Sequence, residues 1–600
     1  MTDIKTLPTR AEVPEALTWN LELIYPTEQA WEADFQQVKQ LATEVVKSKN
    51  KVGESATQLF NVLERSHETF RKLEKTYVYA SMKSDQDTNN NHFQGLNSRV
   101  SSLVANVSAD LAFVEPEIIA IRDDQLKTFL EEEPRLANYA HYLESLRLTK
   151  NHVLSADSEA LLNGAEEVFE SSSLTFGVLT NSDLEFPYVQ DENGQTVQLS
   201  NGLYGALIES TNREVREDAF TALYSVYDQF QNTLAQTLSG ETKRHNFLAK
   251  VHHYPSARAA AMAKNNIPEQ VYDTLVEQVN QHLPLLHRYV SLRKKILGVD
   301  DLHMYDMYVP LTGEPPLNYT FEEAKSEAKK ALAILGDDYL SHVDEIFNNR
   351  YIDVVENKGK RSGAYSGGAY DTAPYELLNW QDSVNSLYTL VHETGHSVHS
   401  WYTRHNQPYQ YGEYPIFLAE IASTTNENLL TEYLLKTQTD PKVRAYILNY
   451  YLDGFKGTVY RQTQFAEFEH HIHTADANGE PLTAESLSDF YGNLNSHYYG
   501  PAVEKDPEIA LEWSRIPHFY YDYYVYQYST GFAAASSLSQ LITTNQPNAT
   551  AHYLDYLKSG SSDYAIEIMK KAGVDMTKPD YLEAAFNVFE TRLNELESLL

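Results

Sequence analysis

Two histidines four residues apart place the tightest constraint on how this chain can fold. Asn379–Ser400 reads NWQDSVNSLYTLVHETGHSVHS and contains His392-Glu393-Thr394-Gly395-His396. The spacing of an H-E-x-x-H pattern has chemical meaning only on a helix. At 3.6 residues per turn, the two imidazoles lie about 40° apart around the axis and about 6 Å apart along it, so they can converge on one small cation. Glu393 lies about 100° round from His392 and flanks that cation, where a carboxylate can serve water as a general base. The flanking residues predict the helix. Asp382 and Ser383 are N-cap candidates. Val384, Leu387, Tyr388, Val391, Gly395 and Val398 recur at steps of three and four, as one buried stripe does. Gly395 costs such a helix about 1 kcal/mol relative to alanine, and close packing of another segment against it would account for its presence.

A catalytic zinc usually takes three protein ligands and a water. His399 is the nearest third candidate, but three ligands in a row along one helix make a poor tetrahedron. A second helix, FLAEIASTTNENLLTEYLL, offers a better one in Glu420, 24 residues after His396. Glu427 follows seven residues later, on the same face. We therefore expect His392, His396 and Glu420 to bind one Zn2+ per chain. His399 and Glu427 are expected in the surrounding shell, with Glu427 orienting a histidine. The Gly/Ser/Tyr-rich stretch 362–370 could present an edge strand to which an extended peptide adds through main-chain hydrogen bonds, making Gly367, Gly368, Ala369 and Tyr370 candidate substrate-binding residues. A second constellation, WSRIPHFYYDYYVYQYSTGF at 513–532, is dense in tyrosine and includes His518; such groups can donate to a developing oxyanion. The trio His470, His471 and His473 has i, i+1, i+3 spacing, which is not that of a good metal site.

The whole chain excludes other classes. With 84 acidic against 48 basic residues and a formal charge of −36, it lacks the basic surface that nucleic acids require. No cysteine is present, which excludes disulfides, thiolate ligands and a cysteine nucleophile. No apolar run is long enough to span a bilayer, and MTDIKTLPTRAEVPEALTWN is not a signal peptide. We expect a cytoplasmic protein with no membrane association and no obligate protein partner.

Amphipathic periodicity predicts a mainly α fold. Residues 1–20 read as a polar, Pro-rich extended arm, and 27–121 as long helices, with Trp31, Phe35, Val38 and Leu41 on one side of the first. FPYVQDENGQTVQLSNGLY alternates around a turn and predicts a hairpin. It separates an N-terminal helical domain, 1–200, from a catalytic domain, 201–600. Tyr351–Glu356 reads as a strand, and Gly359-Lys360 does not complete a phosphate loop.

HETGHSVHS, FLAE with a second Glu seven residues on, and RIPHFYYDYYVYQYSTGF together resemble the oligoendopeptidase F group of thimet-oligopeptidase-like zinc metallopeptidases. KRSGAYSGGAYDTAPYELLNWQD and RQTQFAEFE extend the likeness, which covers roughly residues 200–590. The resemblance implies a large helical clam-like fold with a deep substrate channel, and endopeptidase action on short unstructured oligopeptides. It also implies Glu393 as catalytic base, with His518, Tyr523 and Tyr526 facing the substrate. An exopeptidase would need a charge to hold a free terminus, and none stands out near the motif. A peptide-binding protein with a structural zinc would have no use for Glu393.

Overall fold

A computed structural model describes residues 6–313 and 316–600. The chain divides into two compact units, each assembled from three separate segments. The first comprises Met1–Lys150, Leu317–Tyr433 and Leu541–Gly573; the second comprises Asn151–Pro316, Leu434–Gln540 and Val574–Leu600. The units therefore follow space rather than chain order, and the expected boundary at 200/201 falls inside the first segment of the second unit. Helices carry both units, as the periodicity predicts. Among the described residues the strands form only a two-stranded and a three-stranded sheet.

In the first unit, the helices Glu28–Val46, Ala56–Asp85 and Asn91–Leu111 pack on one another. Thr27 caps the first by accepting from the Ala30 N–H. Its buried stripe runs Trp31, Phe35, Val38, Ala42, Val45, so Ala42 rather than Leu41 continues the face. Trp31 buries its ring and donates its indole N–H to the Thr76 carbonyl at 2.9 Å.

The N-terminal stretch is not a free extended arm. It makes three short 3-10 turns, Arg10–Glu12, Glu15–Leu17 and Leu21–Leu23, and is stitched to the strand region. Val354 N–H donates to the Leu17 carbonyl, and Asn20 N–H to that of Arg350. Trp19 is buried. Residues 1–5 of the arm lie outside the described residues. The anchor is Asp353, fully buried, whose carboxylate is gripped by the Arg10 guanidinium and by the Lys360 ammonium. Lys360 is thus a buried structural cation rather than part of a phosphate loop.

The three-stranded sheet has the order Ile352–Asp353, Tyr375–Leu377, Tyr365–Gly367, parallel across the first pair and antiparallel across the second. The predicted strand at Tyr351–Glu356 is therefore two residues long. Tyr365–Gly367 is an edge, as the 362–370 composition suggests, and it packs against the helix Val384–Asn406 that carries the histidine motif.

The second unit centres on the 39-residue helix Arg213–Val251, which packs against Arg461–Ala477. The predicted hairpin is present as Tyr188–Gln190 paired antiparallel with Thr196–Gln198. Asp191 closes its turn by accepting from the Asn193 and Gln195 N–H groups, and Gly194 takes the left-handed conformation there.

The Asp353 anchor carries a prediction. Lys360 and Asp353 are both 0 % exposed and 2.7 Å apart, so Asp353→Ala strands a buried ammonium and should cost about 3–5 kcal/mol. Lys360→Met added to it should recover much of that loss in chemical or thermal unfolding. Strictly additive losses in the double variant would refute the pairing.

Candidate metal centre

The motif helix Val384–Asn406 begins where the sequence predicts. Ser383 is its N-cap and accepts from the Ser386 N–H at 3.2 Å. Val384, Leu387, Tyr388, Val391, Gly395 and Val398 are all buried, as one stripe. A Cβ added at Gly395 would stand 2.7 Å from Cα of Ser423. That contact explains the glycine: the helix Ile416–Thr437 crosses here at backbone contact distance. The crossing is held by Asn426, whose amide donates to the Val391 carbonyl at 3.3 Å, and by a Tyr388–Thr431 hydroxyl pair at 2.9 Å.

Ser423 lies one turn after Glu420, so the close crossing delivers the Glu420 carboxylate to the histidines. Its Oε2 is 3.5 Å from His392 Nε2 and 3.6 Å from His396 Nε2. Zinc bonds of about 2.0–2.1 Å in a tetrahedron place donors about 3.3 Å apart, so this donor set suits that ion. Glu427 accepts from His392 Nδ1 at 2.5 Å. A carboxylate can only accept, so Nδ1 carries a proton, and in the neutral ring the Nε2 lone pair points toward Glu420 and His396.

The electrostatics are those of a crowded acidic site. Burial would depress His392, but the Glu427 hydrogen bond and the nearby carboxylates of Glu427, Glu393 and Glu420 raise it to about 9. Burial would raise Glu420, yet His396 and His392 hold it down at about 2. Glu393 is buried at 7 % exposure. Burial raises its pKa, the two imidazoles and the Ser366 N–H oppose that, and Glu420 adds to it. Sequence reasoning missed Glu376. It is fully buried on the central strand beneath the motif helix, and burial followed by the charge of Glu393 pushes it up to about 8. Its only sequence signal is a carboxylate within the apolar run TAPYELL.

His399 does not orient a ligand through a hydrogen bond. It is fully buried, stacked flat on Tyr414 at 3.7 Å, and neither ring nitrogen has a hydrogen-bond partner among the described residues. Burial drives its pKa well down, so the ring is neutral packing.

Among the expected substrate-binding residues, Gly367 ends the edge strand and Gly368 follows at φ 149°. A Cβ at Gly368 would meet the Ala373 carbonyl at 2.9 Å, which explains that glycine. A cavity of about 440 Å³ lies along this edge, lined by Tyr77, Ser81, Asp85, Tyr365, Gly367 and Gly368 among others. Ala369 and Tyr370 are committed elsewhere. The Ala369 N–H donates to Thr372 Oγ1 at 2.8 Å, and the Tyr370 hydroxyl donates to the Gln407 carbonyl at 2.7 Å. The Ala369 main chain is therefore not available to pair with a peptide.

His518, Tyr523 and Tyr526 belong to the second unit. His518 is partly exposed and sits among the rings of Tyr521, Tyr524 and Tyr528. Tyr523 and Tyr526 are each only 3 % exposed. Tyr523 donates its N–H to Glu469 Oε1 at 2.6 Å and pairs its hydroxyl with His470 Nδ1 at 3.1 Å. Tyr526 packs on Tyr272. Within the unit, the tyrosines that share the open face of His518 are thus different from the two expected. His471 stacks on Phe490. The trio 470, 471 and 473 does not form a cluster.

Comparison with known proteins gives a consistent result. The profile described as "Peptidase family M3" matches residues 206–588, and one described as "Oligopeptidase F" matches 117–186. The chain is 52 % identical over 594 residues to oligopeptidase PepF of Bacillus subtilis, covering 99 % of this chain and 89 % of that protein. It is 51 % identical over 594 residues to the plasmid-encoded oligoendopeptidase F of Lactococcus lactis subsp. cremoris, covering 98 % of each. The crystal structure of oligoendopeptidase-F from Enterococcus faecium matches with a TM-score of 0.75 at 51 % identity, over 95 % of this chain and 99 % of that one.

Two outcomes follow from the geometry. Glu427→Ala should weaken zinc binding about 10–100-fold in a competition titration with a chromophoric chelator, because His392 loses the group that fixes its tautomer. Gly395→Ala should destabilise the protein by about 1–3 kcal/mol, since Ser423 Cα cannot move without shifting its helix. A melting temperature unchanged in that variant would contradict the crossing.

Proposed function

The chain belongs to peptidase family M3, and from that membership we propose that it is a zinc-dependent endopeptidase cleaving internal bonds of short, unstructured oligopeptides. The observation that carries this reading is the convergence of His392 Nε2, His396 Nε2 and Glu420 Oε2 to within 4.8 Å of one another, with Glu393 next in sequence to the first ligand. A zinc ion held by these three would supply Lewis acidity, polarising the scissile carbonyl and lowering the pKa of water. Glu393 accepts the water proton at a carboxylate oxygen and returns it to the leaving amine nitrogen. Its burial, which raises its pKa, suits a group that must both take and give a proton. Glu427 keeps His392 in the ligating tautomer.

An extended peptide lies along the Tyr365–Gly367 edge, paired through main-chain groups, which explains a preference for unfolded chains without demanding particular side chains. His518, Tyr523 and Tyr526 carry a ring N–H and two hydroxyls, donors of the kind a developing oxyanion accepts. The acidic balance and the absence of cysteine agree with a cytoplasmic peptidase that binds neither nucleic acid nor membrane. The names of the relatives, oligopeptidase and oligoendopeptidase, agree with oligopeptides as substrates.

The test is turnover of an internally quenched peptide blocked at both ends. Cleavage at an internal bond should vanish on chelation and return with zinc. Glu393→Gln should keep the zinc content of the parent and lose at least about 100-fold in rate. Near-normal turnover in that variant would falsify the role of Glu393, and turnover indifferent to chelation would remove the metal from the reading.

A further inference from the structure

In the second unit, three donors from three separate segments meet away from the H-E-x-x-H motif. They are His245 on the helix Arg213–Val251, His473 on the helix Arg461–Ala477, and Asp522 in the turn before the helix Tyr526–Thr543. His245 Nδ1 lies 3.1 Å from His473 Nε2 and 3.7 Å from Asp522 Oδ1. All three ligand atoms fall within 4.8 Å of one another.

The outer nitrogens settle what the inner ones offer. His473 Nδ1 is 2.8 Å from the Glu469 carbonyl, which can only accept, so that nitrogen carries the proton. His245 Nε2 is 3.2 Å from Glu241 Oε1, a carboxylate oxygen that favours the tautomer with the proton on Nε2. In the neutral rings the two nitrogens that face each other are therefore both lone pairs. The Asp522 Oδ1 beside them has no hydrogen-bond partner among the described residues. Two lone pairs and an anion at these separations repel unless a positive species stands between them. An imidazole fixed from behind by a carboxylate or a carbonyl is also the usual arrangement of a metal-ligating histidine.

We propose that His245, His473 and Asp522 form a second metal site, taking a divalent first-row transition ion of the zinc class. The donor set of two imidazoles and one carboxylate fits that class and not magnesium or calcium, which prefer oxygen alone. The separations of 3.1 and 3.7 Å bracket the donor spacing of about 3.3 Å in a tetrahedral site. The role is positional. Asp522 and Tyr523 are consecutive residues in the left-handed region, at φ 50° and 58°. A tyrosine adopts that conformation only when its surroundings hold it there. An ion bridging Asp522 to two helices pins this turn, and with it the segment that runs from His518 to Tyr528. The chain then binds two ions in place of the one expected from H-E-x-x-H.

The experiment is metal counting on the full-length protein, stripped with chelator, reloaded with zinc and desalted, by inductively coupled plasma mass spectrometry. The parent should hold two equivalents, His396→Gln one, His473→Gln one, and the double variant none. In the His396→Gln background, added zinc should still raise the melting temperature, and Asp522→Asn should remove that rise. Asp522 is partly exposed, so this variant serves if His473→Gln does not fold. Zinc-edge anomalous scattering from crystals of the parent should place a peak among the three side chains. One equivalent in the parent, unchanged by His473→Gln or Asp522→Asn, would overturn the proposal and assign a shared proton to the histidine pair.

Discussion

The contact between Gly395 and Ser423 is the interaction on which the candidate metal centre depends. Two helices meet with a backbone separation that leaves no room for a methyl group. Each is recruited for a different donor: one brings two imidazoles a turn apart, the other a carboxylate one turn before the crossing. Widening the crossing by the width of one side chain would move the Glu420 backbone away from both histidines and disturb the 3.5 and 3.6 Å donor separations. The glycine is unfavourable for an isolated helix, and the geometry it permits offsets that cost at the level of the site. The same crossing sets Glu427 opposite His392, since seven residues return the second helix to the same face. The candidate ligand Glu420 and the His392 partner Glu427 thus follow from one packing decision.

The charge around that crossing is unbalanced by design of the donor set. Glu376, Glu393, Glu420 and Glu427 surround His392 and His396. Two imidazoles cannot neutralise four carboxylates, so the group relaxes in the two ways open to it. Glu376, fully buried, is the carboxylate of the four pushed furthest up, by burial and then by the charge of Glu393, against the opposing Ser397 and Thr394 hydroxyls. A divalent ion at the proposed site would supply the remaining positive charge. Glu393 sits between these two solutions, raised by burial and by Glu420 and lowered by the two imidazoles.

Local pattern made much of this site legible, and long-range assembly hid the rest. The motif helix, its Ser383 cap, the buried stripe, Glu420 and Glu427 all follow from a 3.6-residue period and from the ligand count of zinc. The edge strand at 365–367 follows from composition. Glu376 could not be found in this way, since a strand only three residues long has no period to read. The N-terminal stretch misled because its proline and polar residues suggest an exposed arm. Its fixation comes from Asp353, more than 300 residues away, which no local reading connects to Arg10. His399 misled for the opposite reason: it shares the metal-binding face by spacing but is claimed by the ring of Tyr414. The two units are each built from three segments, so a boundary drawn at a single position could not describe them.

The tyrosine-rich segment shows where periodicity stops being informative. Residues 520–528 contain six tyrosines and neither a helical nor an alternating order, so spacing cannot say which rings are buried. The backbone decides. Two successive left-handed residues, Asp522 and Tyr523, reverse the chain so that Tyr523 turns inward onto His470 and Glu469 while Tyr524 stays with His518. Such conformations cost on the order of 1–3 kcal/mol each in a residue with a side chain. The hydrogen bond from Tyr523 N–H to the buried Glu469 offsets part of that cost. The remainder falls to Asp522, whose one oxygen meets Lys264 at 3.3 Å and whose other faces the histidine pair. The orientation of the whole segment is therefore decided at Asp522 rather than at any tyrosine. Its direction could be read only once the helices at 213–251 and 461–477 were in place to receive that side chain.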